Sequence, residues 1–221
     1  LSLMSIMFSS ASAATMPNDF VDVGSVSKSI VMDIRYFTDN NFVGTKVDGY
    51  LAPKCILEKK AAAALVKVQQ QLISQGLGLK VFDCYRPQRA VSHFMRWAAD
   101  LTDQLTKEQY YPNLDKSVLV GDYIAEKSGH SRGATLDLTL IYADKNAENY
   151  GQELDMGGDF DLFDVRSNTE HPHITAAQKA NRHRLKQAMS AQGFVNYSME
   201  WWHYSLKPQP YPDTYFDFVV R

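Results

Sequence analysis

Apolar residues recur at steps of three and four between positions 57 and 75: Leu57, Ala61, Leu65, Val68, Leu72 and Ile73, with lysines and glutamines between them. That spacing predicts an amphipathic helix, stopped by Gly76 and Gly78. Residues 79–84 (LKVFDC) then read as a strand. A second helix runs from Arg86-Pro87 to about Asp100, with Pro87 in its first turn, where a missing N–H costs nothing. Residues 135–142 (TLDLTLIY) alternate and are rich in β-formers, which predicts a strand. Residues 143–160 contain Gly151, Gly157 and Gly158 and read as a long loop. A third helix spans 175–192, with Thr175 as its N-cap and Gly193 just past its end, and 194–197 and 202–206 read as late strands. Residues 33–50 are rich in turn formers and aromatics, so irregular structure with short strands is expected there; the Pro/Tyr-rich end (KPQPYPDTYFDF) packs as coil. No repeat, low-complexity tract or linker interrupts residues 20–221. The pattern predicts a single α+β domain.

Composition narrows this picture. With 45% hydrophobic and 22% charged residues the chain is too apolar for intrinsic disorder. At 221 residues it buries roughly 70% of its extended-chain surface and needs no metal merely to hold a core. Lys and Arg number 23 against 25 Asp and Glu, a net charge of -2 that gives no basic face for nucleic acid. No stretch reaches the 18 or so apolar residues of a membrane span. Residues 1–14 (LSLMSIMFSSASAA) stand apart: an apolar run, then small residues with an Ala-x-Ala pattern at Ala11-Ser12-Ala13, as in the remnant of an export signal. They are set aside from the fold, and a periplasmic or secreted location is the expectation, with the cytoplasm as the alternative. Cys55 and Cys84 fit one disulfide or two buried thiols; sequence separation does not decide between them.

Three segments carry chemistry. His130 lies in Ser128-Gly-His-Ser-Arg-Gly133, with Asp137 on the strand that follows, so an imidazole and a carboxylate can converge as metal ligands. Glu200-Trp-Trp-His203 sets an acid and an imidazole on one face of a helix or tight turn, flanked by water-excluding rings. Asp83-Cys-Tyr-Arg86 puts a cation at a strand-to-helix junction. Each alone is more simply a solvated pair, a satisfied core histidine or a structural ion pair. Together they supply two His and one Asp as ligands, a spare Glu and one Arg, the inventory of metal-assisted peptide hydrolysis: an open metal site, a base, and an oxyanion partner.

These segments, with Phe42–Tyr50 (FVGTKVDGY), Phe94–Ala99 (FMRWAA), Tyr110–Asn113 (YYPN), SGHSRGATLDLTL from Ser128, Met156–Asp161 (MGGDFD), EWWHY from Glu200 and PYPDTYFDF from Pro210, resemble the VanX-type D-alanyl-D-alanine dipeptidases over residues 33–218. These are zinc D,D-peptidases related to murein D,D-carboxypeptidases and, in metal site, to the hedgehog domain. The resemblance implies a mainly antiparallel sheet with flanking helices and one zinc per chain in a central cleft. It implies His130, Asp137 and His203 as zinc ligands, Glu200 as general base and acid, and Arg86, oriented by Asp83, as oxyanion partner. It further implies Ser128 near the carboxylate of a small dipeptide, Asp161 near its ammonium, and Tyr36 in the pocket wall. The implied reaction is hydrolysis of D-Ala-D-Ala to two D-Ala, in wall turnover or D-Ala recovery. A D,D-carboxypeptidase or endopeptidase acting on longer peptides and a non-catalytic zinc module are the alternatives. Gly129 and a longer 140–156 loop depart from the family pattern near the mouth. His171-Pro-His173 reads as an exposed loop, His93 and His183 as ordinary helical residues, and Ser131 as no nucleophile; oligomeric state is not readable.

Overall fold

The structure, a computed structural model, describes residues 14–221; the expected export segment lies, but for Ala14, outside the described residues. Five strands form the main sheet in the order β2 (Val31–Met32), β4 (Leu77–Asp83), β5 (Thr135–Tyr142), β7 (His203–Leu206), β6 (Phe194–Asn196). Only β2 runs parallel to its neighbour, so the sheet is mainly antiparallel, as expected. A second, two-stranded ladder pairs β1 (Phe20–Asp22) with β3 (Ile56–Glu58). Helices α2 (Lys59–Ile73), α3 (Gln88–Ala99) and α6 (Ala176–Ser190) flank the sheets, and α1 (Val23–Val26), α4 (Lys107–Tyr110) and α5 (Leu119–Asp122) are single turns. No helix of the described residues is long and apolar enough to cross a membrane.

Local chemistry explains where elements start. Leu57 belongs to β3 rather than to the helix, because the Glu58 carboxylate accepts from the N–H groups of Lys60 and Ala61 and begins α2 at Lys59, two residues later. Ala61, Leu65, Val68 and Leu72 form its buried face as the periodicity predicts, but Ile73 is exposed. Gln69 lies on the buried face too, its amide spent on Ser29 and on the Leu79 N–H. Pro87 caps α3 from outside rather than sitting in its first turn. Thr175 caps α6 in a reciprocal box with Gln178, and Gly193, at φ 86°, follows one residue later than predicted. Residues 33–50 hold no strand; a tight turn at Arg35–Phe37 and hydrogen bonds from the Asn41 amide to three carbonyls shape them.

Strand β5 is buried along seven of its eight residues. Its alternation puts Leu136, Leu138 and Leu140 on one face and Thr135, Asp137 and Thr139 on the other. Burying a carboxylate mid-sheet is costly unless it has partners, which makes Asp137 the place to look for function. The cysteines are joined as a Cys55–Cys84 disulfide, Cα atoms 5.1 Å apart, which ties the end of β4 to the segment before β3. The long loop after β5 is anchored by the buried Arg182 of α6, which donates to the carbonyls of Met156, Asn168 and Arg166.

Candidate active site

Register builds the floor of the site. Asp83 faces Asp137 across β4 and β5, and Asp137 faces His203 across β5 and β7, so three functional groups lie in one row over three adjacent strands. His130 joins from the turn Gly129–Arg132 that leads into β5. That turn closes through Gly133 at φ 83°, where a side chain would also collide with the ring of Phe20. Ser128 caps the turn, its Oγ accepting from the His130 N–H at 3.2 Å.

One atom from each of His130, Asp137 and His203 falls within 4.8 Å of the others. His130 Nε2 is 3.3 Å from Asp137 Oδ2 and 3.3 Å from His203 Nδ1, while His203 Nδ1 is 3.1 Å from Asp137 Oδ1. His130 Nδ1 donates to the Cys84 carbonyl at 2.7 Å; a carbonyl only accepts, so the ring proton sits there and Nε2 turns a lone pair toward Asp137. Asp137 Oδ1 is buried with no donor in hydrogen-bond geometry. Burial would raise the Asp137 carboxyl, but His130 and His203 beside it hold it well below the usual carboxylate range. The lone pair of His130 Nε2, the second imidazole of His203 and a carboxylate oxygen without a donor around one point suit a divalent cation such as zinc. Among the described residues this is the one cluster that could hold a metal.

Glu200 stands beside the cluster without completing it, Oε2 3.4 Å from His203 Nδ1. Burial raises its carboxyl above the ordinary value; His203 and Arg86 oppose this and Asp137 adds to it. Arg86 donates from Nε to Asp83 Oδ2 at 2.9 Å, and its Nη2 lies 3.5 Å from Asp137 Oδ2. Its guanidinium carbon lies 5.0 Å from the Tyr36 ring centroid and 5.1 Å from that of Phe94. Asp83 is itself held by the Tyr50 hydroxyl at 2.6 Å, so the chain Tyr50–Asp83–Arg86 fixes where the cation points. Asp161, in the left-handed region at φ 63°, accepts from the Tyr36 hydroxyl at 2.8 Å. Burial, and then the charge of Asp137, push its carboxyl well above the usual range.

All eight residues singled out from the sequence, Tyr36, Arg86, Ser128, His130, Asp137, Asp161, Glu200 and His203, line a single cavity of about 300 Å³. Trp202 lines it too, whereas Trp201 is packed behind, so only one of the paired tryptophans faces the chemistry. Sequence reasoning missed Tyr50, although it ends the FVGTKVDGY segment, and missed the aromatic wall of Phe42, Phe94 and Phe163; aromatic residues in a core leave no local signal of which rings face a cavity. The remaining histidines stay outside: His183 pairs with Glu170 at 2.8 Å, His93 accepts from the Asp48 N–H, and His171 and His173 sit in a surface loop. Ser131 is fully buried away from the cavity lining, consistent with no nucleophilic role.

Comparison with known proteins agrees with this geometry. The chain matches the D-ala-D-ala dipeptidase family over residues 16–221. It is 43% identical to the D-alanyl-D-alanine dipeptidase of Streptomyces coelicolor over 93% of this chain and all of that protein. It is equally identical, over the same shares, to that of Enterococcus faecalis, and 34% identical to that of Escherichia coli over 85% of this chain and 84% of the relative. The chain belongs to the D-ala-D-ala dipeptidase family, a family of peptidases.

Proposed function

We propose that this protein hydrolyses D-alanyl-D-alanine to two molecules of D-Ala as a zinc enzyme, with His130, Asp137 and His203 as ligands. The observation that carries the reading is the cluster itself: three ligand atoms within 4.8 Å, a buried Asp137 oxygen with no donor, and a non-ligand acid, Glu200, next to it. The names of the relatives supply the substrate. Zinc in such a site acts as a Lewis acid and brings the pKa of water to about 7.

The chain's own residues account for the rest. Glu200, its proton affinity raised by burial, takes the proton of the attacking water and hands it to the leaving amine nitrogen as the C–N bond breaks. Water thus adds OH to the carbonyl carbon and H to the nitrogen. Arg86, clamped by Asp83, meets the negative charge that develops on the carbonyl oxygen. Asp161, hydrogen-bonded by Tyr36, receives the substrate ammonium, and Ser128 meets the carboxylate end. A cavity of about 300 Å³ lies at the small end of ligand sites, which favours a dipeptide over a long chain.

Metal analysis together with D-Ala release from the free dipeptide tests the proposal; one zinc per chain and cleavage are expected. Cleavage only of a pentapeptide ending in D-Ala-D-Ala would make the protein a D,D-carboxypeptidase instead. We further place it outside the cytoplasm, in recovery of D-Ala from wall turnover: the apolar start and the Cys55–Cys84 bridge support export. Fractionation of the native cells that finds the mature protein in the cytoplasm would reverse that.

A further inference from the structure

The two imidazoles of the cluster are not held alike. His130 is buried, and its Nδ1–H is fixed by the Cys84 carbonyl at 2.7 Å. His203 turns Nδ1 toward the cluster, so its polar side-chain contacts, to His130 Nε2, Asp137 Oδ1 and Glu200 Oε2, all fall on that one nitrogen. A ring that ligates through Nδ1 carries its proton on Nε2, and among the described residues His203 Nε2 has no hydrogen-bond partner. Metal-ligating histidines normally donate the second ring N–H to a carbonyl or a carboxylate, which fixes the orientation of the ring. The His203 side chain is also 19% exposed against 1% for His130, so packing restrains it less.

Tyr197 lines the cavity beside it. The ring centroids of Tyr197 and His203 are 5.7 Å apart with the planes at 68°, and the Tyr197 hydroxyl makes no hydrogen bond within the described residues. Tyr197 is 47% exposed, so the core does not depend on its side chain. The backbone here is secured independently. The Tyr197 N–H donates to the His203 carbonyl and the Tyr197 carbonyl accepts from the Glu200 N–H, both at 3.0 Å. Asn196 Nδ2 donates to the carbonyls of Glu200 and His203, each at 3.0 Å. The connection between β6 and β7 therefore keeps its course whatever side chain stands at 197. What the Tyr197 ring adds is a second edge-to-face contact for the imidazole, after that with the His130 ring at 4.9 Å.

We propose that Tyr197 is a positioning residue for the metal: its ring, not its hydroxyl, stands in for the hydrogen bond that His203 lacks and holds the imidazole with Nδ1 on the cluster. This rests on the zinc reading of the site and gives Tyr197 no part in the chemical step. The test is zinc affinity, measured by competition with a chromophoric chelator, alongside thermal melting of the metal-free protein. Tyr197→Ala should weaken zinc binding by about tenfold, the low end of the range for outer partners of ligating histidines, while the metal-free protein melts as the unsubstituted one does. Tyr197→Phe, which keeps the ring, should restore the affinity, and Tyr197→Leu, which keeps bulk without the plane, should fall between. Unchanged affinity in Tyr197→Ala, whatever happens to KM, overturns the assignment and leaves Tyr197 a cavity wall. A Tyr197→Phe protein as weak as Tyr197→Ala overturns it too, by moving the role to the hydroxyl. So does a loss of affinity matched by a lower melting temperature of the metal-free protein, which would make the residue merely structural. In all three cases the unsubstituted protein still binds zinc and the dipeptidase reading stands; if it binds none, both fall.

Discussion

The floor of the cavity rides on the strand ladder, whereas its two ends hang on loops. Asp83, Asp137 and His203 are opposed residues of β4, β5 and β7, so their spacing is set by backbone hydrogen bonds that cannot shift without moving the sheet. His130 is added by one hydrogen bond to the Cys84 carbonyl, at the end of the same strand. The ends differ. Asp161 sits on a loop held by the carbonyl contacts of Arg182 and by the Phe163 N–H to the Tyr110 carbonyl at 2.7 Å, and Ser128 caps a turn through its contact with the His130 N–H. In the proposed reading, the groups assigned to the reacting atoms are built on rigid elements, and the groups assigned to substrate binding are built where side chains can vary.

Breaking the floor should have the largest effect. His130→Ala should lose both the metal and turnover. Glu200→Ala should keep about one zinc per chain yet lose turnover by a factor of about 10²–10⁴, read by metal analysis and D-Ala release on the same preparation. Unchanged turnover in that variant would remove Glu200 from the role of base. Arg86→Lys retains charge but not the fork to Asp83 and should lower kcat by about 10²–10³-fold with a smaller change in KM.

The ends should respond in KM. Asp161→Asn leaves the Tyr36 contact possible but removes the charge that we propose meets the ammonium, and an increase in KM of about tenfold to a hundredfold is expected. The pH profile sharpens this. Because burial raises the Asp161 carboxyl well above 3.8, it takes up its proton on acidification earlier than an exposed aspartate. The protonated acid does not hold an ammonium, so kcat/KM should fall as pH is lowered through that raised value. The Asn variant should lack this contribution to the acid limb.

The smallest effect on chemistry and the clearest one on stability should come from the bridge. Cys55 and Cys84 are 29 residues apart, and opening such a loop by the double serine substitution should cost about 3–4 kcal/mol of stability. The Cys84 carbonyl that orients His130 is backbone and survives the change, so zinc affinity should drop less than thermal stability does, measured by denaturation with and without the metal.

Much of this was readable beforehand, for physical reasons that differ by region. The α2 face and the β5 strand were legible because periodicity is a local property. Leu57 and Gln69 were not: one was claimed by a capping carboxylate and a β1–β3 ladder, the other by backbone partners 40 and 10 residues away in sequence. Residues 33–50 were expected to hold short strands and hold none, because the Asn41 amide gathers carbonyls that strands would otherwise use. The eight site residues were legible as types and motifs, whereas Tyr50 and Tyr197 acquire meaning only from what they touch.

By itself the amino-acid order determined which histidines and acids are candidates for the site, and most of the helices and strands that carry them. Tertiary structure alone decided that Asp137 lies opposite His203 and Asp83, that Cys55 meets Cys84, and that the Tyr197 ring stands against His203. Helical and strand periods act over a few residues, while register, bridging and cavity walls join segments tens of residues apart. Those long-range contacts are chosen by the burial and hydrogen-bond satisfaction of the whole fold.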